Sequence, residues 1–198
     1  MLVLLLGLKH SGKSSIGRGV ARALGRQFFD LDEVAVELLL ARGECLPGEE
    51  TSKVIRRYYE HNGRDAFRAL ERSAALSVVQ RVESLAATAA GPAPVFCAVC
   101  ALGGGTPENE AAYKLLRPVS WAIYLRERPE VLFERIIAGG VPPFFEGEDP
   151  WRAFSTLAER RDSLYNSLAD EVFETEGRSI AELLPILIQR IEEYQDGR

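Results

Sequence analysis

The sequence predicts an α/β fold built on a parallel sheet, and three observations predict it. Short apolar runs alternate with stretches of helical periodicity along the chain. The apolar runs are near-continuous, as strands covered on both faces require. Polar residue types suited to binding gather just after those runs, where ligands of open parallel sheets sit.

Taken in order, Leu2–Leu6 reads as the first strand and Ser14–Leu24 as the first helix. Gln27–Asp30 is a short strand ending in acid, and Leu31–Ala41 is helical. Residues 42–52, with Gly43, Pro47 and Gly48, form a loop. Lys53–His61 and Asp65–Ala87 read as two helices, followed by an Ala-, Gly- and Pro-rich connector over 86–94. Val95–Leu102 is a buried strand stopped by Gly103-Gly104-Gly105. Glu108–Leu116 is helical, Val119–Leu125 a strand, and Pro129–Ala138 a helix with proline at its start. Residues 139–150 lack periodicity; Trp151–Ala169 is helical, Glu171–Glu174 a short strand, and Ile180–Tyr194 the closing helix.

A chain of 198 residues with 46% hydrophobic content suits one domain with an ample core. A net charge of −5 argues against a nucleic-acid partner. No apolar run approaches membrane-spanning length, and Leu2–Leu6 is too short and lacks the basic leader of a signal peptide, so a soluble, cytoplasmic protein is expected. Cys45, Cys97 and Cys100 do not make a disulfide framework. Cys97 and Cys100, three apart on a strand, point to opposite faces and lack a second pair or a histidine for a metal site; small buried thiols are expected.

Gly7-Leu8-Lys9-His10-Ser11-Gly12-Lys13-Ser14 is G-x-x-x-x-G-K-S, a phosphate-binding loop in the strand–loop–helix context the motif requires. Backbone N–H groups of such a loop turn inward around phosphate oxygens, and the helix start adds its positive dipole end. Lys13 reaches the outer phosphates, and the Ser14 hydroxyl can ligate magnesium.

Four further constellations follow. Asp30 and Asp32, two apart in an extended segment, point the same way. Beside a phosphate loop, one can serve a magnesium shell through water and the other can take a proton from an attacking hydroxyl, although either would also cap the next helix. Arg68 and Glu71 share a helix face at i, i+3, with Phe67 and Leu70 on the apolar side; spacing alone predicts a solvated ion pair. Gly103-Gly104-Gly105 at a strand's carboxyl end allows a ligand close to the backbone or makes a flexible turn. Arg160 and Arg161 can grip a carboxylate or phosphate, or form a surface charge run.

Together these pieces resemble the shikimate kinase family. The matching segments are Gly7–Ser15, Phe28–Asp32, Phe67–Glu71 (F-R-x-x-E), Leu102–Gly105 (L-G-G-G) and Arg161–Tyr165 (R-x-x-L-Y) before Ala169-Asp170. They fall in the family's order over nearly the whole chain. The resemblance implies a nucleoside-monophosphate-kinase-like three-layer α/β/α fold with a five-stranded parallel sheet in order 2-3-1-4-5. It implies one kinase domain over 1–198: a core of 1–32, 90–138 and 165–198, an acceptor-binding helical region at 33–89, and a lid at about 139–150. ATP, as co-substrate, would lie on Lys9, His10, Ser11, Gly12, Lys13, Ser14 and Ser15. Mg2+ would be served by Ser14 and, through water, by Asp30. Asp32 would bind the acceptor and act as base, beside Lys13 as the other catalytic group. Arg68 and Arg161, with the N–H groups of Gly104 and Gly105, would hold the acceptor carboxylate. The implied reaction is phosphoryl transfer from ATP to the 3-hydroxyl of shikimate, on the route to aromatic amino acids, by a monomer.

The chain departs from the family pattern in three places. Val141-Pro142-Pro143-Phe144-Phe145 puts Pro142 where the family's lid carries an arginine, and no Lys or Arg lies between Arg135 and Arg152. Arg152 is expected to swing in as the substitute cation, with Arg135 the other candidate. His10 stands where the family usually has glycine, and Arg64 where it often has glutamate; Arg64 is expected to face water. Two other readings keep part of the pattern: a gluconate-kinase-like enzyme, and a weakly active or non-catalytic nucleotide- and shikimate-binding homologue.

Overall fold

The computed structural model describes residues 1–88, 96–138 and 149–197. Five strands, β1 (Leu2–Leu6), β2 (Gln27–Asp30), β3 (Ala98–Ala101), β4 (Ser120–Arg126) and β5 (Glu171–Glu174), form one sheet in the order β2-β3-β1-β4-β5. Every pairing is parallel, with Leu4 level with Cys100 on one side and Ala122 on the other. β3 is shorter than the 95–102 run suggested. Its backbone ladder nevertheless continues beyond both ends, through Cys97 N–H to Met1 O at 2.8 Å and Leu102 N–H to Leu5 O at 3.1 Å.

β1 is apolar throughout because both its faces are covered, and its alternation sorts the core. Leu2, Leu4 and Leu6 pack with residues of α2 (Leu31–Ala41), α3 (Thr51–Ala87), α4 (Glu110–Leu116) and α6 (Pro150–Leu168). Val3 and Leu5 face the opposite way, toward Ile16 and Val20 of α1 (Lys13–Ala23) and Leu183, Leu187 and Ile191 of α7 (Ile180–Asp196). α5 (Pro129–Ile137) follows β4. Helices on both faces thus leave the carboxyl edge of the sheet open for loops.

The two helices read at 53–61 and 65–87 are one element broken at Gly63, whose φ of 78° and ψ of −178° lie outside the helical region. That φ is readily adopted only without a side chain, so the chain turns there without losing the helix on either side. Cys45, Cys97 and Cys100 are buried and form no disulfide among the described residues. Cys97 and Cys100 both join the core on the α2/α3 face rather than splitting between faces, because Cys97 precedes the strand and escapes its alternation. Arg64 faces solvent. Among the described residues no helix is long and apolar enough to cross a membrane. Residues 139–148 of the expected lid, including Pro142, lie outside the described residues, as do 90–95 of the expected core.

Candidate active site

The loop between β1 and α1 opens with a turn in which Ser11 N–H donates to Leu8 O at 3.2 Å. Lys13, the first residue of α1, is buried and folds its ammonium back across the loop to Leu8 O at 2.8 Å. Burial pulls its pKa down to about 8, against the pull of Asp32 and Asp30 and with help from the charges of Arg161 and Lys9. The first-turn N–H groups of Lys13, Ser14 and Ser15 donate to no acceptor among the described residues, as at any helix start. Ser11 Oγ is buried without a hydrogen-bond partner among them. Unused donors converging on a buried cation fit an oxyanion ligand. Lys9 and His10 are exposed, and His10 is in the left-handed region at φ 66°. Partial burial and the neighbouring Lys9, Lys13 and Arg135 charges lower its pKa.

Asp30 ends β2 and caps α2: its Oδ1 accepts from Asp32 N–H at 3.0 Å. Its Oδ2 accepts from Ser14 Oγ at 2.5 Å. The cap and the partnership with the phosphate loop are therefore both real. The expectation that both acids sit in one extended segment is corrected, because Asp32 already belongs to the first turn of α2. Asp32 is pushed up to about 6, first by burial and then by the negative charges of Asp30 and Glu71, with Lys13 and Lys9 opposing.

The spacing of Arg68 and Glu71 predicted a solvated ion pair, and this too is corrected. Glu71 is 5% exposed and takes its bonds elsewhere. Its Oε1 accepts from Thr106 Oγ1 at 2.7 Å and its Oε2 from Asn109 Nδ2 at 3.0 Å. Asn109 Nδ2 also donates to Arg68 O at 2.8 Å. Glu71 thereby ties α3 to the 3₁₀ turn Thr106–Glu108 that follows the triple glycine. Burial excludes the solvated role: a carboxylate inside the protein must be bonded, and these two donors bond it. The Arg68 side chain is half-buried and bonds no described group.

Gly103, Gly104 and Gly105 lie between the two halves of the site. A Cβ on Gly103 would stand 2.8 Å from Asp32 Oδ1, and one on Gly104 would stand 3.2 Å from Lys9 N. The Gly104 and Gly105 N–H groups donate to no acceptor among the described residues. Gly104 O accepts from the buried hydroxyl of Tyr165 on α6. One helical turn earlier, Arg161 rests against the same glycines and bonds Glu108 with Nε at 3.0 Å and Nη2 at 3.4 Å. The phosphate loop, acid pair, triple glycine and Arg161 are thus gathered at one edge of the sheet.

The two candidate substitute cations are placed differently. Arg135 on α5 donates to His10 O at 3.1 Å and pairs with Glu127 at 3.4 Å, directly against the phosphate loop. The Glu127 side chain is fully enclosed, its oxygens also accepting from Arg128 N–H and Gly177 N–H. Arg152 is exposed in the first turn of α6, and its side chain bonds no described residue. Sequence reasoning missed Glu108, Thr106, Asn109 and Glu127, whose bonds to Arg161, Glu71 and Arg135 span 8 to 53 positions with no local spacing to mark them.

Among the described residues no cluster of three or more His, Cys, Asp or Glu could hold a metal ion by itself. Ser14 and Asp30 suit magnesium, which commonly uses few protein oxygens and completes its shell with phosphates and water.

The family model for shikimate kinase matches residues 9–192. A shikimate kinase from Bordetella avium (strain 197N) is 32% identical over 193 residues, covering 98% of this chain and 80% of the relative. One from Bordetella pertussis is 35% identical over 193 residues, covering 98% of this chain and 79% of the relative. Among solved structures, a shikimate kinase from Acinetobacter baumannii in complex with shikimate aligns with a TM-score of 0.75 at 24% identity, over 98% of this chain and 94% of that one. The shikimate kinase from Aquifex aeolicus aligns with a TM-score of 0.70 at 22% identity over the full length of both chains. At those identities the solved structures speak for the fold, whereas the family match and the Bordetella relatives speak for ancestry. The chain is an enzyme of the shikimate kinase family.

Proposed function

We propose that the protein transfers the terminal phosphoryl group of ATP to the 3-hydroxyl of shikimate, on the route to aromatic amino acids, and that it works as a cytoplasmic monomer. The observation that carries this reading is the position of Asp32, coupled to Lys13 on one side and against the bare backbone of Gly103 on the other. A carboxylate between a phosphate loop and an anion-holding pocket is where an acceptor hydroxyl has to lie.

In this reading, Lys13 exchanges its bond to Leu8 O for an outer phosphate oxygen, and the first-turn N–H groups of α1 hold the remaining oxygens. Lys9, His10, Ser11, Gly12, Ser14 and Ser15 complete that wall. Magnesium, when bound through Ser14 and an Asp30-held water, neutralises charge on the phosphates. Arg68, Arg161 and the N–H groups of Gly104 and Gly105 fix the acceptor carboxylate, which turns the 3-hydroxyl toward Asp32. Asp32 takes the hydroxyl proton as the new O–P bond forms, and the bond to the bridging oxygen of ATP breaks to release ADP. Most of the acceleration comes from alignment and charge neutralisation. Arg135 is better placed than Arg152 to supply further positive charge, since it already lies on the phosphate loop.

The test is a coupled ADP-release assay with shikimate and gluconate in parallel, with Asp32→Asn as control. Turnover with shikimate alone, lost in the control, is expected. Turnover with gluconate instead would replace the acceptor, and binding of ATP and shikimate without product would reduce the protein to a non-catalytic binder.

A further inference from the structure

We propose that Glu108 is the positioning residue for the acceptor carboxylate: it holds Arg161 by one edge so that the opposite edge of the guanidinium faces the pocket. This rests on the reading of shikimate as acceptor.

Glu108 itself is held firmly. Its N–H donates to Gly105 O at 3.0 Å, so it moves with the triple glycine. Thr106, fully buried, anchors the same turn to Glu71 at 2.7 Å, and Pro107 is buried beside it. From this mount the two Glu108 oxygens take the side edge of Arg161, Oε1 from Nε at 3.0 Å and Oε2 from Nη2 at 3.4 Å. The end of the guanidinium rests against the glycines: Nη1 is 3.7 Å from where a Cβ of Gly104 would be, and Nη2 is 3.3 Å from that of Gly105.

The donor arithmetic then selects the geometry. A guanidinium has five N–H donors in a planar fork. Glu108 consumes Nε–H and one on Nη2. Both on Nη1 and one on Nη2 remain, and these make the end-on fork that accepts a second carboxylate bidentately. The nitrogens of the remaining fork adjoin Gly104 and Gly105, whose N–H groups donate to no acceptor among the described residues, so donors from two elements are available to one anion.

The charges agree. Arg160 adds a second bond to Glu108 Oε1 at 2.8 Å. Two guanidinium charges against one carboxylate leave one net positive charge for the acceptor. Burial pushes the Glu108 carboxyl up, but the bonds and charges of Arg161 and Arg160 outweigh it and hold it below the ordinary value. Side-chain exposures of 17% for Arg161 and 22% for Glu108 keep water from competing strongly for either.

The experiment is a double-mutant cycle over Glu108→Ala and Arg161→Ala, read as shikimate binding by calorimetry and as KM for each substrate, with Glu108→Gln as the conservative variant. Glu108→Ala is expected to weaken shikimate binding roughly ten- to a hundredfold and to leave the KM for ATP unmoved. Glu108→Gln, which keeps one acceptor for Nε–H, falls between it and wild type, and carries the cycle if the alanine variant does not fold. The double variant binds shikimate no more weakly than Arg161→Ala alone. Wild-type affinity in both Glu108 variants, or independent losses that multiply in the double variant, would overturn the inference while leaving the acceptor intact. Failure of the wild type to bind shikimate would overturn the acceptor reading, and this inference with it.

Discussion

Gly103 and Asp32 share one space: a Cβ on Gly103 would stand 2.8 Å from Asp32 Oδ1 and 3.0 Å from Thr106 Oγ1. The glycine is needed for close approach, because its φ is not in the left-handed region. Gly103→Ala is therefore expected to move Asp32 away from the acceptor. Overpacking costs about 1–3 kcal/mol of stability, and a displacement of this kind costs up to about 10²-fold in kcat/KM. Thermal unfolding together with steady-state kinetics checks both; an unchanged kcat/KM would show that Asp32 does not need this position.

Asp32 costs the fold stability in its charged form. Its carboxyl ionises near 6 in the folded protein against an ordinary 3.8. The cost is absent below 3.8, grows as pH rises through that window and is fully present above about 6. At about 1.4 kcal/mol for each tenfold change in the ionisation equilibrium, it comes to no more than about 3 kcal/mol. Asp32→Asn is expected to raise the melting temperature at pH 7.5 and to abolish turnover. A variant less stable than wild type at that pH would mean that the carboxylate is held by partners and not stranded by burial.

The free enzyme's pH profile follows from two opposite shifts. Asp32 must be ionised to take a proton, so kcat/KM falls as pH drops below about 6. Lys13 must be charged, and burial has brought its pKa down to about 8, so kcat/KM falls again above that. A bell with limbs near these values is expected; because the two groups face each other, the limbs belong to the pair. A flat response between pH 5 and pH 7 would remove Asp32 from the proton-transfer step.

Arg135 and Arg152 separate by position. Arg135 is braced by Glu127 against the phosphate loop, whereas Arg152 is exposed and its side chain bonds no described residue. Charge at a transferring phosphoryl group is worth ~10³–10⁵ in rate where an arginine supplies it in other phosphoryl-transfer enzymes. Arg135→Ala is expected to lower kcat by a large part of that factor, and Arg152→Ala to lower it by less than about tenfold. Single-turnover kinetics on the two variants decides, and the reverse ranking would return the role to Arg152.

Glu71 holds α3 to the turn that follows the triple glycine. Glu71→Ala strands the buried Thr106 hydroxyl, at about 1–3 kcal/mol for an unsatisfied group, and takes one of the two acceptors of Asn109 Nδ2, which keeps its bond to Arg68 O. Glu71→Gln should be far milder, because the Thr106 hydroxyl can rotate to accept from the new amide while Asn109 still donates to the carbonyl. Denaturant unfolding of the two variants measures the difference; equal losses would mean that the negative charge, and not the bonding pattern, is what the fold requires.

The parallel sheet was legible because β1 and β4 are apolar on both faces and each is followed by a helical period. The phosphate loop was legible because its chemistry is local: eight consecutive residues carry the turn, the lysine and the hydroxyl. Spacing beside the phosphate loop already offered Asp30 and Asp32 as metal and proton groups, whereas the acceptor-carboxylate roles expected of Arg68 and Arg161 came from the resemblance, since spacing alone favoured surface charges there. Where two local rules competed, as at Asp30, tertiary structure kept both, with one oxygen capping α2 and the other bonded to Ser14.

By itself, the sequence determined the strand–helix alternation, the phosphate loop and the order of the motifs, since backbone periodicity and short-range loop chemistry act over neighbouring residues. Only the tertiary structure decided what the charged side chains do. Glu71 reaches Thr106 and Asn109 across 35 and 38 positions, and Arg161 reaches Glu108 across 53. Electrostatic and hydrogen-bond partners are chosen by distance in space and by exclusion of water, and both come into being only when the chain has folded.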